Sequence, residues 1–187
     1  MLWHIEKRLS YLYTGELFSS IIFIVTSFFV NQTFPGLKLY SLLSFWSSFI
    51  YLEFLLLQGT VYWYVKWKRL KTEKNSVTPI KLVKQLKSLI KWNTAWMIAA
   101  PVGFIVDVVK WAPALPISGL SVSAFIYIFA CIEYINYFHV QLSYDNRSDL
   151  KYLFITRRLK QSCLRKDFKR LSRGQNTILT KKITHDV

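Results

Sequence analysis

The chain has 187 residues, of which 52% are hydrophobic and 17% aromatic, yet its formal charge is +15. Apolar and charged residues segregate into blocks, which a multi-pass membrane protein requires and a soluble domain rarely shows. About half the chain is apolar enough to enter a bilayer, which leaves no room for a separate soluble catalytic domain.

In chain order, the first apolar run gives a span over about residues 9–30, after Lys7 and Arg8. It resembles a leader in position, but it contains Glu16 and shows no small-x-small cleavage site, so a retained span is expected. Pro35-Gly36 marks a turn, and a second span follows over about residues 39–64, ending in the interfacial aromatics Tyr62, Trp63 and Tyr64. A basic loop occupies about residues 65–91. Within it, Thr78-Pro79 reads as a helix start. Ile80, Leu82, Val83, Leu86, Leu89 and Ile90 then recur at helical spacing, with Lys81, Lys84, Lys87 and Lys91 largely opposite. This pattern predicts a basic amphipathic helix lying on anionic lipid; packing on the tail or on a partner is the other reading.

A short third span covers about residues 92–109, with Pro101 expected to kink it. A second near-neutral loop leads to a fourth span over about residues 117–142. The tail, 145–187, is expected to be a second basic amphipathic helix. Ser148 is its predicted cap, and Leu150, Leu153, Phe154, Leu164, Phe168 and Leu171 form its apolar stripe. That helix is expected to end near residue 172 and give way to disorder. Arg157, Arg158, Lys160, Arg165, Lys166, Lys169 and Arg170 supply its charge.

Of the 25 Lys and Arg, only Lys38 and Lys110 lie outside the N-terminus, the central loop and the tail. By the positive-inside rule this predicts four spans, with both termini cytoplasmic, in a cell (inner) membrane. Residues 1–144 would form the membrane region and 145–187 a cytosolic tail. The predicted fold is all-α: a four-span transmembrane helical bundle with two cytosolic amphipathic basic helices. Small residues offer packing faces, Ser44 with Ser48 and Gly119 with Ser123.

Acids inside a membrane cost roughly 2.5–3.5 kcal/mol near mid-helix, so each calls for a reason. Counted at 1.5 Å per residue from the predicted cytoplasmic ends, Glu16 lies ~10 Å deep, Glu133 ~13 Å and Glu53 ~18 Å. Glu133, Asn136 and Tyr137 share one helix face, with His139 on its flank. These six residues are the candidate intramembrane polar cluster. They read either as interhelical glue or as a wet site for a proton, a cation or a small polar ligand. Asp107 lies within a turn of the outer end, where it is expected to reach water or Lys110.

No metal or other cofactor is expected. His4, His139, His185, Cys131 and Cys163 are scattered, and Glu133 and His139 stand too far apart in the helix for the Glu-x-x-His of a di-iron bundle. The chain has no Gly-x-Ser-x-Gly, His-Glu-x-x-His, Walker A or Gly-x-Gly-x-x-Gly motif, which disfavours the enzyme classes that use them. The expected function is a non-enzymatic docking or scaffold module that engages a protein partner or anionic lipid headgroups through its basic loop and tail. The alternative is a small transporter or channel subunit relaying protons or cations through Glu53, Glu133 and Glu16. A homo-oligomer is compatible with either, and nucleic acid is disfavoured because topology already accounts for the charge.

Overall fold

The computed structural model describes residues 2–75, 77–142 and 159–183, with side chains up to Arg173. Helix α1 is Leu2–Thr33, α2 Leu43–Glu73, α3 Ile80–Trp111, α4 Ile117–Phe138 and α5 Cys163–Ile183. No strand is present among the described residues; the only β-type pairing is an isolated bridge between Val140 and Gln161. α1, α3 and α4 are each long and apolar enough to cross a membrane. α2 reaches that standard only together with the short turns Pro35–Ser41, from which it departs at 65°.

The reason α2 falls short alone is its serines, Glu53, Gln58 and a basic end. It can hold these because it is the most enclosed of the four long helices. Ser44, Ser48 and Tyr51 on one side of it are fully buried, while Leu43, Trp46, Ile50, Leu57 and Val61 leave an apolar row exposed on the other, as such rows are on α1, α3 and α4. The enclosed side of a helix can carry polar atoms toward protein, and a side facing lipid cannot.

By packing, the chain divides into two compact units. The first comprises Met1–Val77 with Ile90–Glu133, and the second comprises Thr78–Leu89 with Tyr134–Val187. In the first unit, Leu39, Leu42, Phe45 and Phe49 form the core at the Pro35–Ser41 end. Phe23, Trp111, Leu120 and Ile126 close over them. Two glycines set the closest approaches. Gly103 of α3 sits where a methyl would meet Ser47 Oγ at 2.9 Å and the Ser44 backbone at 3.2 Å. Gly119 of α4 lies against the Leu37 carbonyl. Small residues that let backbones approach are the main attraction available between helices in lipid.

Pro101 does not interrupt α3. A proline cannot donate to the carbonyl four residues back, here that of Met97. Tyr127 Oη of α4 donates to that carbonyl instead, at 2.9 Å, so the break in the ladder becomes an interhelical bond.

Two expectations need correction. The stretch 78–91 is not a separate amphipathic helix: α3 runs unbroken from Ile80 into the apolar stretch, and Val83 and Leu86 are buried. Nothing between Ile80 and Ala100 is a glycine or proline, so no residue stops the helix where the composition changes. The tail is not one helix from Ser148 to about 172. Ser148, Asp149, Leu150, Leu153 and Phe154 lie outside the described residues, residues 159–162 are not helical, and α5 starts at Cys163 and continues past Gly174 to Ile183. Ser162 is the cap that starts it, its Oγ accepting from the Arg165 backbone N–H at 3.2 Å.

Candidate functional site

Within the first unit, three buried polar contacts join the long helices. Ser20 Oγ of α1 donates to Glu53 Oε2 of α2. The other oxygen, Glu53 Oε1, is buried with no hydrogen-bond partner. One helical turn and a little further along α2, Gln58 Nε2 donates to Asn93 Oδ1 at 2.8 Å, and Asn93 Nδ2 returns a bond to Gln58 Oε1 at 3.1 Å. Asn93 is wholly buried. The same Gln58 nitrogen also donates to the Phe54 carbonyl at 3.1 Å. Each amide therefore satisfies the other's carbonyl, which is the least costly way to bury two carboxamides.

The third contact is at the other end of α2. Its N-cap is Leu42, which offers no side-chain acceptor. Asp107 of α3 supplies one: Oδ1 accepts from the Leu43 N–H at 3.0 Å and Oδ2 from the Ser44 N–H at 2.7 Å. Asp107 is 1% exposed. The expected reach to water or Lys110 is therefore wrong; a carboxylate on the positive end of a neighbouring helix is better placed than one in the interface. Lys110 lies toward the Trp111 ring, 5.7 Å from its centroid, and Lys38 lies 4.4 Å over the same ring.

No family model, curated protein or solved structure matches this chain. Its chemistry therefore rests on the geometry alone. Among the described residues, no three His, Cys, Asp or Glu side chains converge as a metal ion would need.

The six residues of the predicted cluster fall in different surroundings. Glu53 binds Ser20, a partner the sequence reading did not single out. Glu16 and Glu133 are half-buried, and Glu133 closes the first unit while Asn136, Tyr137 and His139 belong to the second. There, Asn136 Oδ1 accepts from the Leu142 N–H at 2.8 Å, just beyond the end of α4. Tyr137 is buried. The His139 ring is exposed and meets Tyr134 edge-on at 5.5 Å, and its carbonyl accepts from Ser162 N and Arg165 Nη1.

The second unit is a small platform that joins the start of α3, the end of α4 and α5. Val83, Leu86, Phe138, Leu164 and Leu171 are buried in it, and Phe138 stacks on Phe168 at 6.2 Å. A polar latch closes it. Thr78 Oγ1 donates to Asp167 Oδ2 at 2.6 Å, and Arg170 Nη2 donates to the Thr78 carbonyl at 2.7 Å. Arg170 also pairs with Asp167 Oδ1 at 3.4 Å. Thr78 and Asp167 are both buried.

The predicted lipid or partner cations thus divide in two. Arg165 and Arg170 hold backbone carbonyls within the platform, and Lys169 donates to Gln161 Oε1 at 3.0 Å. Lys81, Lys84, Lys87, Lys91 and Lys166 are exposed, Lys160 is half-buried, and Arg157 and Arg158 lie outside the described residues. Outside the apolar stretches, Arg69 forks onto Glu73 and also donates to the Val77 carbonyl at 2.7 Å, which ties down the end of α2. The Arg69 hydrogen bond holds the Glu73 carboxyl below its ordinary pKa.

The reciprocal amide pair gives a direct test of whether this polar line is glue. Gln58→Leu or Asn93→Leu alone strands a buried amide and is expected to destabilise by about 1–2 kcal/mol. The double Leu variant is expected to recover most of that loss, because neither amide is then left unsatisfied. Unfolding of the four proteins in mixed micelles measures the cycle, and equal additive losses would contradict the bond.

Proposed function

We propose that this is a four-span membrane protein with both termini cytoplasmic, acting as a non-enzymatic docking or scaffold module. It engages a protein partner or anionic lipid through the basic residues of its loop and tail. What carries this reading is that the most polar buried side chains of α3 are matched within the bundle: Asp107 to two backbone N–H groups, and Asn93 to Gln58. Lys81, Lys84, Lys87 and Lys166 are exposed instead.

Support for α2 as a fourth span comes from its length and its ends. Leu43 to Tyr64 rises roughly 32 Å, close to a hydrocarbon core of ~30 Å. Aromatic rings with lysines over them flank it: Trp111 with Lys38 at one end, and Trp67 with Lys71 at the other. Tyr13 of α1 packs on Tyr64 and Trp67 at the second end, at 5.6 and 5.2 Å. Such rings favour the headgroup level, and Lys66, Lys68, Arg69 and Lys71 beside them favour the cytoplasmic side.

One observation favours the second reading, a proton or cation relay. Glu53 Oε1 is buried without a hydrogen bond, an expensive arrangement for glue alone. Purified protein in sealed vesicles with a trapped pH dye separates the two. Docking expects uptake equal to that of empty vesicles, unchanged by Glu53→Gln. A relay expects pH-driven uptake that Glu53→Gln abolishes in a folded protein. Docking further expects a photoreactive residue at Gln85 to form a defined adduct in intact cells, with a yield that falls severalfold when Lys81 and Lys166 become Gln.

A further inference from the structure

The exposed lysines of α3 are aligned with its lipid-facing side. On a helix of 3.6 residues per turn, Lys84, Lys87 and Lys91 fall within about 60° of one another. Continued along the same helix, that direction passes through Ile98, Ile105 and Val109. Those three are among its most exposed apolar residues, at 63%, 65% and 74%. The helix is unbroken across the change from lysine to isoleucine, so the two rows form one continuous stripe. Val83 and Leu86, by contrast, are buried in the platform.

The boundary within the stripe is sharp. Lys91 is followed directly by Trp92, which is 62% exposed and marks the level where the helix enters the headgroups. From Lys91 back to Lys84 the axial rise is ~10 Å, so all three ammonium groups stand within about one Debye length of the lipid phosphates. A lysine row in line with the exposed apolar row stands directly over the lipids which that row would contact. The four-carbon stems can also bend toward the phosphates while their methylenes lie on apolar surface.

We infer that Lys84, Lys87 and Lys91 form a binding strip for the headgroups of anionic lipids in the leaflet where α3 enters the membrane. The ligand chemistry is a phosphodiester with net negative charge, held by ammonium groups and by the annular position of its own acyl chains on Ile98 and its neighbours. This rests on the docking reading and names lipid as the partner of this one surface. The tail, with Lys166, stays available for a protein.

The test uses the full chain in nanodiscs of phosphatidylcholine and phosphatidylglycerol, with spin-labelled versions of each lipid reporting the immobilised fraction. Phosphatidylglycerol is expected to be enriched over phosphatidylcholine at the protein. Each of Lys84→Gln, Lys87→Gln and Lys91→Gln should lower that preference by up to about fivefold. The triple variant should bring the two lipids to equal occupancy, while Lys166→Gln leaves the preference standing. Raising salt to about 1 M should erase the preference in the unaltered protein, a check that needs no variant. Equal occupancy in the unaltered protein, or a preference that survives the triple substitution, overturns the inference. So does binding of an acidic peptide or an RNA oligonucleotide that the triple variant loses while lipid preference stays unchanged. The Gln85 adduct is scored separately in cells, so a failed lipid strip and a failed docking reading give different results.

Discussion

Replacing Asp107 by Ala is expected to cost about 3–5 kcal/mol of stability, among the largest effects of any single polar substitution in this chain. The size follows from what the carboxylate does. It accepts two backbone N–H groups, Leu43 at 3.0 Å and Ser44 at 2.7 Å, in surroundings closed to water. Hydrogen bonds to a charged acceptor contribute about 1.5–3 kcal/mol each, and their donors, once stranded, lose that and keep their desolvation cost. α2 has no alternative: Leu42 at its N-cap carries no acceptor, and the helix dipole leaves its positive end facing the vacancy. Asp107→Asn retains one acceptor and turns an amide N–H toward a backbone N–H, so a loss of roughly 2 kcal/mol is expected. A carboxylate at the water surface, paired with Lys110, would give a very different answer. Its removal would cost about 0–1 kcal/mol and would fade with salt. Denaturant unfolding in mixed micelles at low and high salt distinguishes the two placements. A loss below about 1 kcal/mol for Asp107→Ala would show that the cap is not formed.

The contrast shows which parts of this molecule can be read from residue order. α1 and α4 are legible because a long apolar run in lipid has few alternatives to a helix. The start of α3 is legible too, since Thr78-Pro79 is a strong local signal and Val83 N does donate to the Pro79 carbonyl. The continuity of α3 is harder to see. Its first part is amphipathic and its second mostly apolar, so a periodicity reading divides it at Trp92. Backbone hydrogen bonding ignores that change in composition, and the absence of any glycine or proline before Pro101 was the signal to weigh.

Polar positions show a similar limit. Glu53 and Gln58 stand out in sequence because they are costly in a span. Their partners, Ser20 and Asn93, do not, because a serine is easily carried within a span and an asparagine near a span end is ordinary. Pairing depends on helix rotation, which one sequence does not specify. Asp107 could have been found from the other side. α2 begins at Leu43 with Leu42 at the N-cap position, which carries no acceptor, so one had to come from elsewhere at that end. In the tail, lysine and arginine look interchangeable as charge, yet Arg165 and Arg170 use their planar forks to hold carbonyls. The exposed row on α3 is lysine throughout. That division follows the chemistry of the two groups, a fixed fork against a mobile point charge.

Gly119→Ala is expected to cost about 3 kcal/mol or to abolish folding. A methyl at 119 would collide with the Leu37 carbonyl oxygen and would lie 3.2 Å from its carbon and 2.9 Å from Leu42 Cδ1. The leucine terminus can rotate away. The carbonyl cannot, because it belongs to the tight turn Pro35–Leu37, which is followed by Lys38 in the left-handed region at φ 51°. Relief therefore requires the whole turn to lift off α4, and Leu39 and Leu42, both buried in the core beneath it, would open with it. Inserting a methylene group into a packed interior usually costs 1–3 kcal/mol, and a collision with backbone belongs at or above the top of that range. Two other glycines calibrate the experiment. Gly103→Ala meets the movable Ser47 Oγ at 2.9 Å and the Ser44 backbone at 3.2 Å, so about 1 kcal/mol is expected. Gly15→Ala has open space around it in the middle of α1 and is expected to stabilise by about 0.5–1 kcal/mol through helix propensity. The order of losses, Gly119 then Gly103 then Gly15, tests the seating of α4 against the Pro35–Leu37 turn. If Gly119→Ala unfolds with Gly15→Ala rather than far below it, α4 does not pack there.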